Sequence, residues 1–216
     1  MERAFGIVVA IVAWASLILQ FYLTVTGKGE ATPGYDPTVG ARIGNFFSYF
    51  TILSNILVAL LATLTTLAPG SALGRFFARP TVAASVTLNI AVTGIIYFVI
   101  LRHLYNPQGA SAVANAGLHY LQPPLFFVYW LTVLRKGVLR LADVPSVLIF
   151  PLIYGAYSLI RGPFAEWYPY PFISVIELGY GRVFLNMVGM LIFFTILGAL
   201  LVFVDRGVAR RRLQSA

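Results

Sequence analysis

Six long stretches without a charged residue divide the chain: Ala4–Thr26, Asn45–Leu67, Thr81–Leu101, Asn115–Leu134, Val144–Ile160 and Val183–Val204. Each is long enough to cross ~30 Å of hydrocarbon at about 1.5 Å per residue, the fifth only just. Backbone polar groups in lipid must bond within their own segment, so each stretch predicts a helix. Glycine and proline punctuate the gaps, at Gly27 to Gly44, Pro69 to Pro80, Asn106-Pro107-Gln108-Gly109 and Gly162-Pro163 through Pro171. The pattern predicts an all-α polytopic membrane protein, one six-transmembrane-helix bundle over residues 1–216. No internal repeat is visible, so an inverted-repeat transporter is not favoured.

Composition leaves no room for a separate soluble domain. Of 216 residues, 59% are hydrophobic and 10% charged, against roughly 25% charged in a soluble domain. The absence of cysteine excludes a disulfide framework, a thiolate metal site and a thiol nucleophile. The net charge of +8 would suit a nucleic acid, but the basic residues sit in short segments beside the spans. There they set topology and meet anionic head groups, so membrane lipids are expected as partners and nucleic acid is not. The first stretch follows Met1-Glu2-Arg3 as a signal peptide would. Its apolar run is longer than a cleavable one and no small-x-small site follows, so a retained helix is expected.

Lysine and arginine predict the orientation. The N-terminus, second loop, fourth loop and C-terminus carry Arg3, Arg75, Arg79, Arg135, Lys136, Arg140, Arg206, Arg210, Arg211 and Arg212. The other loops carry only Lys28, Arg42, Arg102, Arg161 and Arg182. Both termini are therefore expected in the cytoplasm of a multi-pass cell (inner) membrane protein. The outward loops then hold Tyr35, Trp167, Tyr168 and Tyr170, which suit the interfacial aromatic belt.

Polar residues inside spans are costly unless paired, so their positions inform. The second stretch carries Ser48, Thr51, Ser54 and Asn55, with Ser48 and Asn55 within about 60° of Thr51 around the helix. The third carries Asn89, Thr93 and Tyr97 on one face. The fourth opens with Asn115, His119 and Gln122. The fifth ends with Tyr154, Tyr157, Ser158 and Arg161, and the sixth starts with Asn186 near Arg182. Alternating directions bring these stripes to one depth, in one leaflet. The bland reading is that Ser and Thr bond back to their own helix, that a buried His is a strut and that Arg161 snorkels. Concentration at one depth favours a polar pocket open to lipid.

Thr51 and His119 are the plausible nucleophile and base at a shared depth. A neutral imidazole can take the threonine proton as the hydroxyl attacks an acyl carbon. Asn55, Asn89, Tyr157 and Arg161 are candidate oxyanion donors, with no choice among them from sequence. The other histidine, His103, falls at the membrane edge. No His/Cys/carboxylate cluster suits zinc, two histidines cannot ligate several haems, and the Gly-x-Ser-x-Gly elbow does not occur. No metal or cofactor is expected.

Phe50-Thr51-Ile52-Leu53-Ser54-Asn55, Asn115-Ala116-Gly117-Leu118-His119 and Trp167-Tyr168-Pro169-Tyr170-Pro171-Phe172, set among six spans, resemble the androgen-induced and androgen-dependent TFPI-regulating membrane proteins. That family contains threonine hydrolases of fatty acid esters of hydroxy fatty acids. The resemblance implies Thr51 as nucleophile and His119 as second catalytic residue, with Tyr170, Pro171 and Phe172 matching a Tyr-Pro-Phe element. Ala116 stands where the family has its first histidine of an Asn-His-Gly-x-His stretch, and the loop between the first two spans has no match.

The expected function is intramembrane hydrolysis of a fatty acyl ester by Thr51 and His119. Asn55, Ser48, Asn89, Thr93, Tyr97, Gln122, Tyr157, Ser158, Arg161 and Tyr170 are expected to line the substrate site, Arg161 meeting a substrate carboxylate as a fork. The rivals are a non-catalytic lipid- or small-molecule-binding membrane protein, and a transporter. The apolar inner halves of the second and fourth spans argue against a continuous polar path. Gly189 and Gly198 would pack helices within one chain or in a homo-oligomer.

Overall fold

The computed structural model describes residues 1–28 and 38–214; Tyr35 lies outside them. The described residues are helical with connecting turns, in two compact units, 1–134 and 135–216. Five helical segments are long and apolar enough to cross a membrane: Glu2–Val25, Phe50–Leu67, Pro80–His103, Leu141–Ala165 and Val175–Gln214. These are compatible with a multi-pass membrane protein.

Unit 1 contains α1 (Glu2–Val25), α2 (Val39–Phe46), α3 (Phe50–Leu67), α4 (Ala72–Phe77), α5 (Pro80–Val99), α6 (Gly109–Asn115), a π-helical segment (Ala116–Leu121) and α7 (Gln122–Thr132). The second charge-free stretch is thus not one helix. Residues 47–49 break it, and Thr51 falls in the first turn of α3. Nor is the fourth uniform: α6, the π segment and α7 follow one another, each shorter than a span.

The long helices close a ring in which α3 packs on α1 and α5, and α7 on α5 and α1. Its interior is filled by Val9, Ala13, Val58, Leu61, Leu88, Ile90, Leu118, Phe126 and Trp130, all essentially inaccessible. Small residues permit the close approaches. A Cβ on Gly6 would come within 2.1 Å of Thr66 Oγ1, and one on Gly117 within 2.1 Å of Ser16 Oγ. In lipid such close packing and interhelical hydrogen bonds hold helices together, because tails solvate apolar side chains as well as a core does. Trp14 Nε1 accordingly donates to Thr63 Oγ1 at 3.1 Å.

Unit 2 contains α8 (Val144–Val147), α9 (Ile149–Ala165) and α10 (Val175–Gln214), the last broken at Gly179 by a left-handed φ of 72°. The apolar stretch ends at Val204, yet α10 continues to Gln214 and carries Arg206, Arg210, Arg211 and Arg212 beyond it. Where the polar part begins, Asp205 is buried. Its Oδ2 accepts from the Gly137 and Leu139 backbone N–H groups at 2.9 and 3.1 Å, while Arg206 Nε donates to the Leu139 carbonyl at 3.1 Å. An aromatic loop joins α9 to α10. In it Tyr168 lies against Gly162, where a Cβ would meet the ring at 2.0 Å. Asn186 Nδ2 donates to the Phe172 carbonyl at 2.8 Å.

Candidate active site

At one end of unit 1, Thr51 and His119 meet. Thr51 Oγ1 lies 3.2 Å from His119 Nε2, across 68 residues of sequence. Behind the ring, Nδ1 lies 3.2 Å from the Asn115 carbonyl oxygen. A carbonyl only accepts, so Nδ1 carries the proton of the neutral ring and Nε2 faces the threonine hydroxyl as acceptor. The arrangement is a hydroxyl, a base and a third group that orients the base.

Two further features hold the ring. Tyr97, in the last turn of α5, stacks on His119 with centroids 3.9 Å apart and planes at 20°. Its hydroxyl accepts from Asn115 Nδ2 at 2.7 Å. Asn115 therefore fixes the imidazole through its main chain and the covering tyrosine through its side chain.

The π segment has a cause in the sequence. Pro123 and Pro124 follow it after Gln122 and lack the N–H groups that would bond the His119 and Tyr120 carbonyls. A proline ring also crowds the carbonyl four residues back, and a widened turn relieves this. The same turn directs the Leu118 carbonyl at α3, where Asn55 Nδ2 donates to it at 3.3 Å and to the Thr51 carbonyl at 2.9 Å. Asn55 thus spends both amide hydrogens binding the nucleophile's helix to the base's segment, with none left for an oxyanion.

The remaining expected site residues divide by unit. In unit 1, Ser48 donates to the Gly44 carbonyl at 2.7 Å and Thr93 to the Asn89 carbonyl at 3.0 Å, both the ordinary back-bond of a membrane helix. Asn89 and Gln122 are buried, deeper in the bundle. In unit 2, Ser158 is buried, Tyr157 is partly exposed and Tyr170 is buried and stacked on Phe172, centroids 5.3 Å apart. The Arg161 guanidinium lies 5.8 Å from the Trp167 ring centre.

Sequence reasoning did not find the groove beside His119, a cavity of about 400 Å³ between α5 and the π segment with α7. Ala91, Gly94, Ile95 and Phe98 line one wall, and His119, Tyr120, Pro123, Pro124 and Phe127 the other. Gly94 brings the walls together, since a Cβ there would meet Pro123 Cβ at 2.9 Å. The available signal was the apolar spacing of Ala91, Ile95 and Phe98 on the same helix as Tyr97.

No group of three or more His, Cys, Asp or Glu able to hold a metal occurs among the described residues. No protein-family model, curated protein or solved structure matches the chain.

Proposed function

We propose that this chain is a membrane-embedded hydrolase of fatty acyl esters, with Thr51 as nucleophile and His119 as general base. The observation that carries the reading is the 3.2 Å approach of Thr51 Oγ1 to an imidazole nitrogen whose opposite nitrogen binds a main-chain carbonyl. A hydroxyl beside an oriented, stacked imidazole can pass its proton to the ring as it attacks.

In the proposed reaction, Thr51 Oγ1 forms a bond to the ester carbonyl carbon as His119 Nε2 takes the hydroxyl proton. The tetrahedral intermediate collapses, the bond to the leaving alcohol oxygen breaks, and Nε2 returns the proton to that oxygen. Thr51 lies in the first turn of α3, whose positive dipole end favours the negative charge developing on the carbonyl oxygen. Water then attacks the acyl-threonine by the same steps in reverse and releases the fatty acid. The acyl chain lies in the apolar groove of α5 and α7, entered sideways from the bilayer. A general base of this kind contributes about 10²–10⁴-fold to rate.

The wider setting belongs to the same reading: six spans, counting the segmented helical run of residues 109–132 as the fourth, with both termini cytoplasmic in the cell membrane. The motifs around Thr51 and His119 support kinship with the androgen-induced and androgen-dependent TFPI-regulating proteins. Membrane lipids and a fatty acyl ester are the proposed partners, the chain acting alone or as a homo-oligomer.

The test is labelling of the detergent-solubilised protein by an activated acyl or fluorophosphonate probe, beside turnover of p-nitrophenyl esters. Wild type should label once, at Thr51, and Thr51→Ala should lose both labelling and turnover. Turnover that persists in Thr51→Ala, or is unchanged in His119→Ala, ends the hydrolase reading and leaves a lipid-binding protein.

A further inference from the structure

Deeper in unit 1 than Thr51 and His119, three helices bury polar side chains that hydrogen bonding within the protein does not satisfy. Ser54 and Asn55 of α3, Asn89 of α5 and Gln122 of α7 are each 0% exposed. Ser54 Oγ, Asn55 Oδ1 and both amide atoms of Asn89 and of Gln122 have no hydrogen-bond partner among the described residues. Buried polar atoms in native proteins are paired almost without exception, so such a group of orphans requires an explanation. At hydrocarbon depth the requirement is stronger, because no bulk water competes for them.

The contacts between helices give these residues their levels. Asn55 binds the Leu118 carbonyl, and Gly94 faces both Pro123 and the His119 carbonyl. Ser54, Asn55 and Gln122 therefore lie about one turn inward from Thr51 and His119, and Asn89 about 7–8 Å along α5 from Gly94.

The character of the orphan atoms selects the occupant. Asn55 cannot be turned over, since its Nδ2 already supplies two carbonyls, so its Oδ1 requires an incoming hydrogen. The Asn89 and Gln122 amides each offer hydrogens and each require one, whichever way they are placed. A carboxylate or phosphate only accepts and would leave three oxygens unmet. A cation would leave the amide hydrogens unmet. Water donates and accepts, and a polar recess with several partners is where buried water resides. A substrate hydroxyl has the same chemistry, but the alcohol has left once the acyl-enzyme forms.

We infer that these unpaired atoms face a common recess that holds water for the second half of the reaction, an inference that rests on the hydrolase reading above. A lipid-facing acyl-enzyme has little access to bulk water. The recess keeps a water about one to two helical turns from the acyl-threonine. That water's oxygen bonds to the acyl carbon as its proton passes to His119 Nε2. The bond from the acyl carbon to Thr51 Oγ1 then breaks, and Oγ1 takes the proton back. Ser54, Asn89 and Gln122 are positioning residues in this scheme, acting through the water they hold.

The test separates the two half-reactions in full-length protein, using a p-nitrophenyl ester in stopped flow. In Asn89→Leu and Gln122→Met the burst of p-nitrophenol should keep its wild-type rate within about twofold. The steady-state rate should fall by about tenfold or more, while intact mass shows the acyl group accumulating on Thr51. Ser54→Ala should show a smaller fall in the same step. Fluorophosphonate labelling needs no water, so an unchanged labelling rate confirms that each variant is folded. A wild-type steady-state rate in Asn89→Leu and Gln122→Met overturns the water site, as does an equal fall in both half-reactions. Turnover that survives Thr51→Ala removes the hydrolase reading itself, and the water site with it.

Discussion

The Tyr97 ring lies on the His119 imidazole, centroids 3.9 Å apart and planes inclined by 20°, and this contact sets the plane from which Nε2 addresses Thr51. Removing the ring leaves the imidazole free to swing about its bond to Asn115. Misplacement of a catalytic group by about 1 Å reduces rate by about 10²-fold. Tyr97→Leu should therefore lower kcat by about 10–100-fold with little change in KM. Tyr97→Phe keeps the stack while giving up the hydroxyl's bond from Asn115, and should lose less than about tenfold. Ester turnover by both variants checks this, and a fully active Tyr97→Leu would sink the positioning role.

Chain-length preference should follow the groove. Ala91 and Phe127 line its deep part and His119 its catalytic part, with Phe127 about 12 Å along the helical axis from His119. Ala91→Phe fills the deep end. Each methylene excluded lowers kcat/KM by about fourfold at most, from ~0.8 kcal/mol per methylene. Long-chain p-nitrophenyl esters should lose activity relative to the butyrate ester, whose rate should hold. Equal effects on short and long esters would remove the groove from the substrate path.

The spans were largely legible because hydropathy reports on them directly. Charge-free runs near α1, α3, α5, α9 and α10 appear as helices of matching position. The pairing of Thr51 with His119 was legible for a related reason: at about 1.5 Å per residue, a residue's distance from its span end fixes its depth. Other features needed side-chain directions that hydropathy does not carry. The break at residues 47–49 has no proline or charge to mark it. The π segment did have a signal in Pro123-Pro124, but its shape depends on how α5 and α3 receive it. Asn55 looked like an oxyanion donor because its type and depth were right, and only the partners of its two hydrogens show it to be a strap.

The approach of the π segment to α1 gives a stability test remote from the groove. A Cβ on Gly117 would fall 2.1 Å from Ser16 Oγ and 2.9 Å from Ser16 Cβ. Gly117→Ala must push Ser16, and with it α1, away, and should be destabilising by about 1–3 kcal/mol. Ser16→Gly in the same chain should recover part of the loss, because it removes both clashing atoms. Thermal unfolding in detergent measures this, and additive losses in the double variant would contradict the contact.

In unit 2 the buried Asp205 carboxylate holds the 137–139 backbone through two N–H groups, beside the Lys136 ammonium. Burial lowers the Lys136 pKa from 10.5 to about 8, with Asp205 opposing the shift and Arg212 adding to it. The folded protein therefore holds this proton less tightly than the unfolded chain. Between about pH 8 and 10.5 the unfolded chain binds more protons, so this group makes stability rise with pH there, and its full penalty is present below pH 8. Lys136→Met removes the penalty. The variant should exceed wild type in Tm at pH 7, and the margin should shrink as pH approaches 10.5, where the wild-type lysine is neutral when folded. Other groups titrate over the same range, so the difference between the two proteins is the quantity to follow. A margin that stays constant across that range would show that the ammonium carries no folding penalty, and would leave Asp205 acting on the loop backbone alone.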